Sequence, residues 1–252
     1  MTRTIAIAGK GGSGKTTVAA LLVQYLSHHG TVLAVDADPS SNLHMALGMP
    51  LEATVGDIRE GMLEEVKRGT FRAGLSKQEY LEWKISEALV EGQQVDLLAM
   101  GRPEGPGCYC AANNMLRACL DKLQSQYDYV VMDNEAGMEH LSRQTTRDVD
   151  ILLLVSDPSI RGISAAARMQ ELIHELRTRV GRIALVVNRV DGDLPPAVRE
   201  AIVSNRLELL GTLPDAPSVR ECDAQGRPIV LLPEDDPLRR RVVELARELG
   251  LP

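Results

Sequence analysis

The sequence predicts an α/β fold: a mostly parallel central sheet of about seven strands with helices on both faces. Three observations carry that prediction. Short apolar runs alternate with stretches of helical periodicity along the whole chain. The runs are apolar throughout, as in strands covered on both faces, rather than alternating with polar residues. A glycine-rich turn joins the first run to the first helix. The predicted strands are 3–8, 31–35, 94–100, 128–132, 150–155, 182–187 and 207–212. Helices are predicted near 15–28, 78–91, 111–126, 161–178, 195–205 and 236–249. In the first of these, Val18, Leu22, Tyr25 and Leu26 recur at helical spacing. The charged stretch 52–92 lies between the second and third strands and is expected to form peripheral helices. The last helix puts Leu238, Val242, Leu245 and Leu249 on one face. Its other face mixes Arg with Glu, which favours packing on the core over anchoring in a membrane.

A chain of 252 residues can build one domain with a sizeable core, expected here to span 1–252. It shows no internal repeat, low-complexity segment or interdomain linker. Aromatic residues are only 3%, so Leu, Val, Ile and Ala must fill the interior. The net charge of −7 argues against a nucleic-acid partner, which normally needs a basic face. The strongest apolar run, 151–155, is far too short to span a bilayer. The first residues pass straight into a strand without a leader pattern, so a cytoplasmic protein with no membrane partner is expected. In that setting Cys108, Cys110, Cys119 and Cys222 read as thiols or metal ligands before disulfides. Cys119 and Cys222 fit buried small hydrophobes.

The chemistry starts at Gly9-Lys10-Gly11-Gly12-Ser13-Gly14-Lys15-Thr16-Thr17. Gly9, Gly14, Lys15 and Thr16 have the spacing of a phosphate-binding loop between a strand and a helix. Glycines let successive N–H groups converge on phosphate oxygens, and the helix presents its positive end to the same anion. Lys15 then reaches the β- and γ-phosphates and Thr16 holds Mg²⁺. Tyr129 to Asp133 is an apolar strand ending in a carboxylate, and Asp133 is placed to hold Mg²⁺ through water. Cys108 and Cys110, one residue apart in the turn Gly105 to Cys110, suit a soft or borderline metal. Two ligands do not close a tetrahedral site.

Lys10 sharpens the reading. A second lysine at that position resembles the deviant Walker A motif of the family that includes the nitrogenase iron protein and the division-site and chromosome-partition ATPases. The resemblance implies a homodimer in which Lys10 crosses the interface and touches the partner's nucleotide, a cation set on developing charge. It makes Asp36-Ala37-Asp38-Pro39 the first switch, with Asp36 near the Mg²⁺ shell and Asp38 orienting the attacking water. Lys10, Lys15 and Asp38 are thus the catalytic candidates. Gly137 falls where a flexible amide near the γ-phosphate is needed. The nucleotide-binding set is Gly11, Gly12, Ser13, Gly14, Lys15, Thr16 and Thr17, joined by Asn188, Arg189, Pro214 and Asp215 around the base. Asn188-Arg189-Val190-Asp191 matches the guanine-specific Asn-Lys-x-Asp only in part, which favours ATP.

A dimer also completes the cysteine site, because two symmetry-related pairs give four sulfur ligands on the two-fold axis. The chain then resembles the CooC-type accessory ATPases that help insert nickel into carbon monoxide dehydrogenase. The residues that carry this are the Lys10 loop, Asp36 to Pro39, Gly107-Cys108-Tyr109-Cys110 and Asp133-Asn134-Glu135-Ala136-Gly137-Met138-Glu139-His140. The resemblance implies ATP, Mg²⁺ and a shared Ni²⁺ or Zn²⁺, with carbon monoxide dehydrogenase or acetyl-CoA synthase as client. An iron–sulfur electron-donating ATPase is the competing reading, but the expected cysteine after the second switch is missing from 134–140. A positioning ATPase on DNA or membrane is disfavoured by the acidic balance.

Overall fold

The computed structural model describes residues 2–69, 84, 87–101, 117, 120–135, 148–175 and 179–252. Seven strands form one sheet: β1 (Arg3–Gly9), β2 (Val32–Ala37), β3 (Val95–Ala99), β4 (Tyr129–Asn134), β5 (Asp148–Ser156), β6 (Arg179–Val190) and β7 (Leu209–Pro214). Their order is β3-β2-β4-β1-β5-β6-β7, and every neighbouring pair is parallel. All seven predicted strands are present, most of them reaching a residue or more past the expected ends. β1 lies between β4 and β5, and the connections leaving β1 toward β2 and β5 toward β6 run in opposite directions across the sheet. The crevice at such a reversal, beyond the strands' carboxyl ends, is where α/β sheets bind ligands.

Alternate residues of each strand face opposite sides. Ile5 and Ile7 enter one core, while Ala6 and Ala8 enter the other. The first face is covered by α1 (Lys15–Ser27), the short α2 (Leu43–Leu47), α6 (Pro217–Gln225) and α7 (Pro237–Glu248). The second carries α4 (Ile160–Glu175) and α5 (Pro196–Ser204), with Val55 of α3 (Val55–Arg68) packed into it. Val18 to Val23 of α1 form an unbroken apolar, buried run, joined by Leu26, because the helix sits centrally over β1 and β4.

Helix ends follow local chemistry. Thr54 and Asp57 form a reciprocal capping box that starts α3. Asp236 accepts from the backbone N–H groups of Leu238 and Arg239 and starts α7, with Pro237 in its first turn. The buried face of α7 is Leu238, Val242, Leu245 and Ala246, so this helix packs on the core as expected. Cys222 is likewise buried. Helix α3 supplies one of the peripheral helices expected within 52–92. The sequence did not predict α2 or α6. One is a single turn, and the other carries almost no apolar stripe to mark it.

Candidate phosphate-binding site

The phosphate loop is shaped by close backbone approach. A Cβ on Gly9 would lie 2.1 Å from the Val155 carbonyl oxygen. Gly14 has φ +94°, and a Cβ there would meet the Asn188 amide nitrogen at 2.3 Å. Both positions therefore exclude any side chain. Ser13 N–H donates to the Lys10 carbonyl at 3.2 Å, closing the loop, and α1 begins at Lys15 with Val18 N–H donating to Gly14 O at 3.1 Å. Gly11 and Gly12 are exposed on the loop, whereas Ser13 is buried.

The two lysines of the loop point to different places. Lys15 is 8% exposed, its Nζ 3.5 Å from the Lys10 carbonyl oxygen. Lys10 is half exposed and its Nζ lies 4.0 Å from Asp157 at the end of β5. Beside Lys15, the Thr16 hydroxyl donates to Asp133 Oδ2 at 2.6 Å. Asp133 stands in register with Asp36 across β4 and β2. Asp36 accepts from the N–H of Leu43 at 2.8 Å and of Asp38 at 3.1 Å, so it fixes the turn into α2. Asp38 is partly exposed and accepts from Ser40 N–H at 2.8 Å.

These carboxylates are electrostatically expensive as they stand. Burial raises the Asp36 carboxyl to about 7, against the Leu43 hydrogen bond, with Asp133 pushing the same way. Burial also raises Asp133 to about 6, against the Thr16 hydroxyl and the Lys15 charge. Asp133 Oδ1 and the Ser13 hydroxyl are buried without a hydrogen-bond partner. A cation at this point would relieve both acids. The oxygen-only donor set of Thr16, Asp133 and nearby Asp36 fits Mg²⁺, which takes one or two carboxylates and completes its shell with water and phosphate. Among the described residues there is no larger group of His, Cys, Asp and Glu that could hold a metal by itself.

Next to the loop lies a cavity of about 430 Å³, lined by Thr17, Asn188, Arg189, Pro214, Asp215 and Arg220 among others. It brings together all four residues expected around the base. Asn188 is 6% exposed and engaged at both ends: Nδ2 donates to Ser13 O and Oδ1 accepts from Arg189 N–H, each at 2.9 Å. The Asn188 amide therefore braces the phosphate loop, with one further N–H and one further lone pair in its bonding capacity. Both oxygens of Asp215 accept from Arg220 Nη1, at 2.8 and 2.7 Å. Arg220, Val219 and Asp223 of α6, with Ala216 at its N-cap, are not announced by the sequence. The available signal was Pro217, a first-turn proline just after the Pro214-Asp215 segment. Asn134 also went unassigned: its Nδ2 donates to Ile7 O at 3.0 Å, tying the end of β4 to β1. Cys108, Cys110, Cys119 and Gly137 lie outside the described residues.

A parallel sheet whose central strand feeds a two-lysine phosphate loop, facing paired acids on β2 and β4, defines a phosphate-loop ATPase. The model of the CobQ/CobB/MinD/ParA nucleotide binding domain matches residues 4–229, and the chain belongs to that family. It is 44% identical over 246 residues to an uncharacterised ATP-binding protein of Methanocaldococcus jannaschii, covering 97% of each chain. It is 30% identical over 237 residues to the carbon monoxide dehydrogenase accessory protein CooC of Rhodospirillum rubrum, covering 88% of this chain and 87% of that one. Among solved structures it matches the septum site-determining protein MinD of Pyrococcus horikoshii, complexed with Mg-ADP. The TM-score is 0.68 and the identity 23%, over 99% of this chain and 96% of the other. Among the described residues no helix is long and apolar enough to cross a membrane.

Proposed function

We propose that this chain is an ATP-hydrolysing metallochaperone of the CooC type, which works as a homodimer and assists nickel insertion into carbon monoxide dehydrogenase. The observation that carries the reading is the coexistence of the Lys10 phosphate loop with Cys108-Tyr109-Cys110 and Asp133-Asn134-Glu135-Ala136-Gly137 in one chain. The identity with CooC supports it. The same features would serve a maturation ATPase for acetyl-CoA synthase, and the client enzyme is the point on which those readings part.

In this reading each residue has a task set by its position. Lys15 neutralises charge on the β- and γ-phosphates from its buried place. Thr16 and Asp133 hold Mg²⁺, and Asp36 faces the same shell while fixing the first switch through Leu43 and Asp38. Mg²⁺, when bound, spreads the negative charge that builds on the transferred phosphoryl group. Asp38, partly exposed within that switch, aims the attacking water. Asn188, Arg189, Pro214 and Asp215 line the adenine cavity. Lys10, half exposed on the loop, reaches across to a partner's nucleotide. Cys108 and Cys110 join their symmetry mates around one Ni²⁺ or Zn²⁺. Nucleotide and metal then bias the same dimer, so each should tighten the other's binding.

The test is metal stoichiometry. One divalent ion should bind per two chains, with sulfur-to-metal charge-transfer absorption for Ni²⁺ and affinity that falls as thiols reprotonate at low pH. The double variant Cys108→Ser/Cys110→Ser should lose tight metal binding and metal-driven dimerisation while still binding ATP. Retention of one tight metal per dimer by that variant would remove the nickel reading.

A further inference from the structure

Lys10 is not idle in the single chain. Its ammonium lies 4.0 Å from Asp157 Oδ2, the single ion pair made by a phosphate-loop residue among the described ones. The carboxylate it meets is unusually well fixed. Asp157 Oδ1 accepts from the Ser159 hydroxyl, and the Ser159 oxygen accepts from Gly162 N–H at 3.0 Å in the first turn of α4. The Asp157 carbonyl accepts from Ser159 N–H and from the Ser156 hydroxyl, both at 2.9 Å. Gly162 leaves room for this knot, since a Cβ there would lie 2.5 Å from Asp157 Oδ1. Asp157 thus spends one oxygen on its own turn and presents the other to Lys10. β5 itself is held to the loop by register, with Val155 opposite Gly9.

We propose that Asp157 is a positioning residue that holds Lys10 on its own subunit and so sets how readily ATP closes two chains together. This rests on the dimer in which Lys10 acts on the partner's nucleotide. To make that contact Lys10 must leave Asp157, and the carboxylate then keeps only its Ser159 contact. The pair therefore opposes closure. It is partly exposed, 48% for the Lys10 side chain and 31% for Asp157, so one such latch is worth at most about fivefold. A two-fold dimer releases two latches at once, and their effects multiply. Removing the carboxylate charge should tighten the nucleotide-driven dimer between about threefold and twentyfold.

The experiment is sedimentation of the full chain across a range of concentrations with Mg²⁺ and a non-hydrolysable ATP analogue, without added nickel or zinc. Four proteins are compared: the natural chain, Asp157→Asn, Lys10→Ala and the double variant. Asp157→Asn keeps the oxygen that Ser159 uses, so the turn should hold. It should dimerise at lower concentration, with ADP affinity of the monomer changed less than twofold. Lys10→Ala should dimerise poorly, and adding Asp157→Asn to it should change nothing, since there is no lysine left to restrain. Equal or weaker dimerisation of Asp157→Asn beside a normal loss in Lys10→Ala overturns the latch alone. A gain that persists without Lys10 also overturns it. Unimpaired dimerisation of Lys10→Ala overturns the cross-subunit assignment of Lys10, and the latch falls with it.

Discussion

At the phosphate end of the nucleotide site the groups are buried and set by backbone; at the base end they are exposed and set by side chains. Lys15, Asp36 and Asp133 are all buried, and the glycines at 9 and 14 are compelled by neighbours within 2.1 and 2.3 Å. Across the cavity, the Asp215 and Arg220 side chains are 40% and 62% exposed. Burial raises the carboxyls at the first end toward neutrality, while Arg220 holds the Asp215 carboxyl below its ordinary value at the second. The two ends meet at Asn188, whose side-chain amide donates to Ser13 O and also lines the cavity proposed for the base. Phosphate affinity is thus prepared by the fold, in buried charge facing the ligand, whereas contacts in the cavity proposed for the base add to a surface already solvated.

The largest expected effect breaks the phosphate end. Lys15→Ala leaves bound phosphate oxygens without their buried cation. Losing one partner of such a pair costs about 2–5 kcal/mol, so Mg-ADP affinity should drop by roughly thirtyfold or more. Folding stability should move far less, because the hydrogen bond Lys15 makes to Lys10 O is long, 3.5 Å, and the buried Asp133 whose charge it offsets can take up a proton instead. Titration calorimetry paired with a thermal melt separates the two. A loss of only a few-fold would mean that the buried lysine is not a phosphate ligand.

The same contrast explains what the sequence could disclose. The phosphate loop is readable because its geometry demands glycine and lysine at fixed spacing within one short segment. The central strands are readable because 5–8, 32–35, 130–132 and 151–155 are unbroken apolar runs buried on both faces. The base end is assembled from β6, β7 and α6, which are distant in sequence. There Asn188, Pro214 and Asp215 were placed by family resemblance, and Arg220 was missed. Helix α6 has one buried residue, Cys222, so no apolar period announces it. The Lys10–Asp157 pair spans β1 and β5, and nothing in either local sequence reveals it.

A smaller effect, about tenfold, should come from pH. Asp36 and Asp133 bind protons more tightly in the folded, nucleotide-free chain than when unfolded, so they favour the fold most at low pH. That contribution is lost as pH rises from the ordinary carboxylate range through about 7, where both must ionise in place. Mg²⁺ needs the ionised acids. The Mg²⁺-dependent part of ADP affinity should therefore fall about tenfold from pH 8 to pH 6, and the thermal shift given by Mg-ADP should be larger at pH 8. ADP alone, measured with a chelator present, provides the baseline for the ligand's own titration. A Mg²⁺ contribution that stays flat over this window would show that these acids are not in the metal's shell.

The smallest effect belongs to the base end. Arg220→Ala removes both hydrogen bonds to Asp215, but the pair already faces water and the Asp215 carboxylate left behind can be hydrated. Exposed ion pairs of this kind contribute little, and salt screens what they do contribute. ADP affinity should shift by no more than a few-fold, and the shift should shrink further at high salt. Pyrophosphate, which occupies only the phosphate end, should bind the variant as it binds the natural chain. Measuring both ligands against both Lys15→Ala and Arg220→Ala puts the comparison to a direct test. If Arg220→Ala cost ADP binding as much as Lys15→Ala while pyrophosphate binding held, the base end would be the stronger anchor. The exposed pair would then have to be shielded from water once the base is bound, giving its charges a low-dielectric setting that the free cavity lacks.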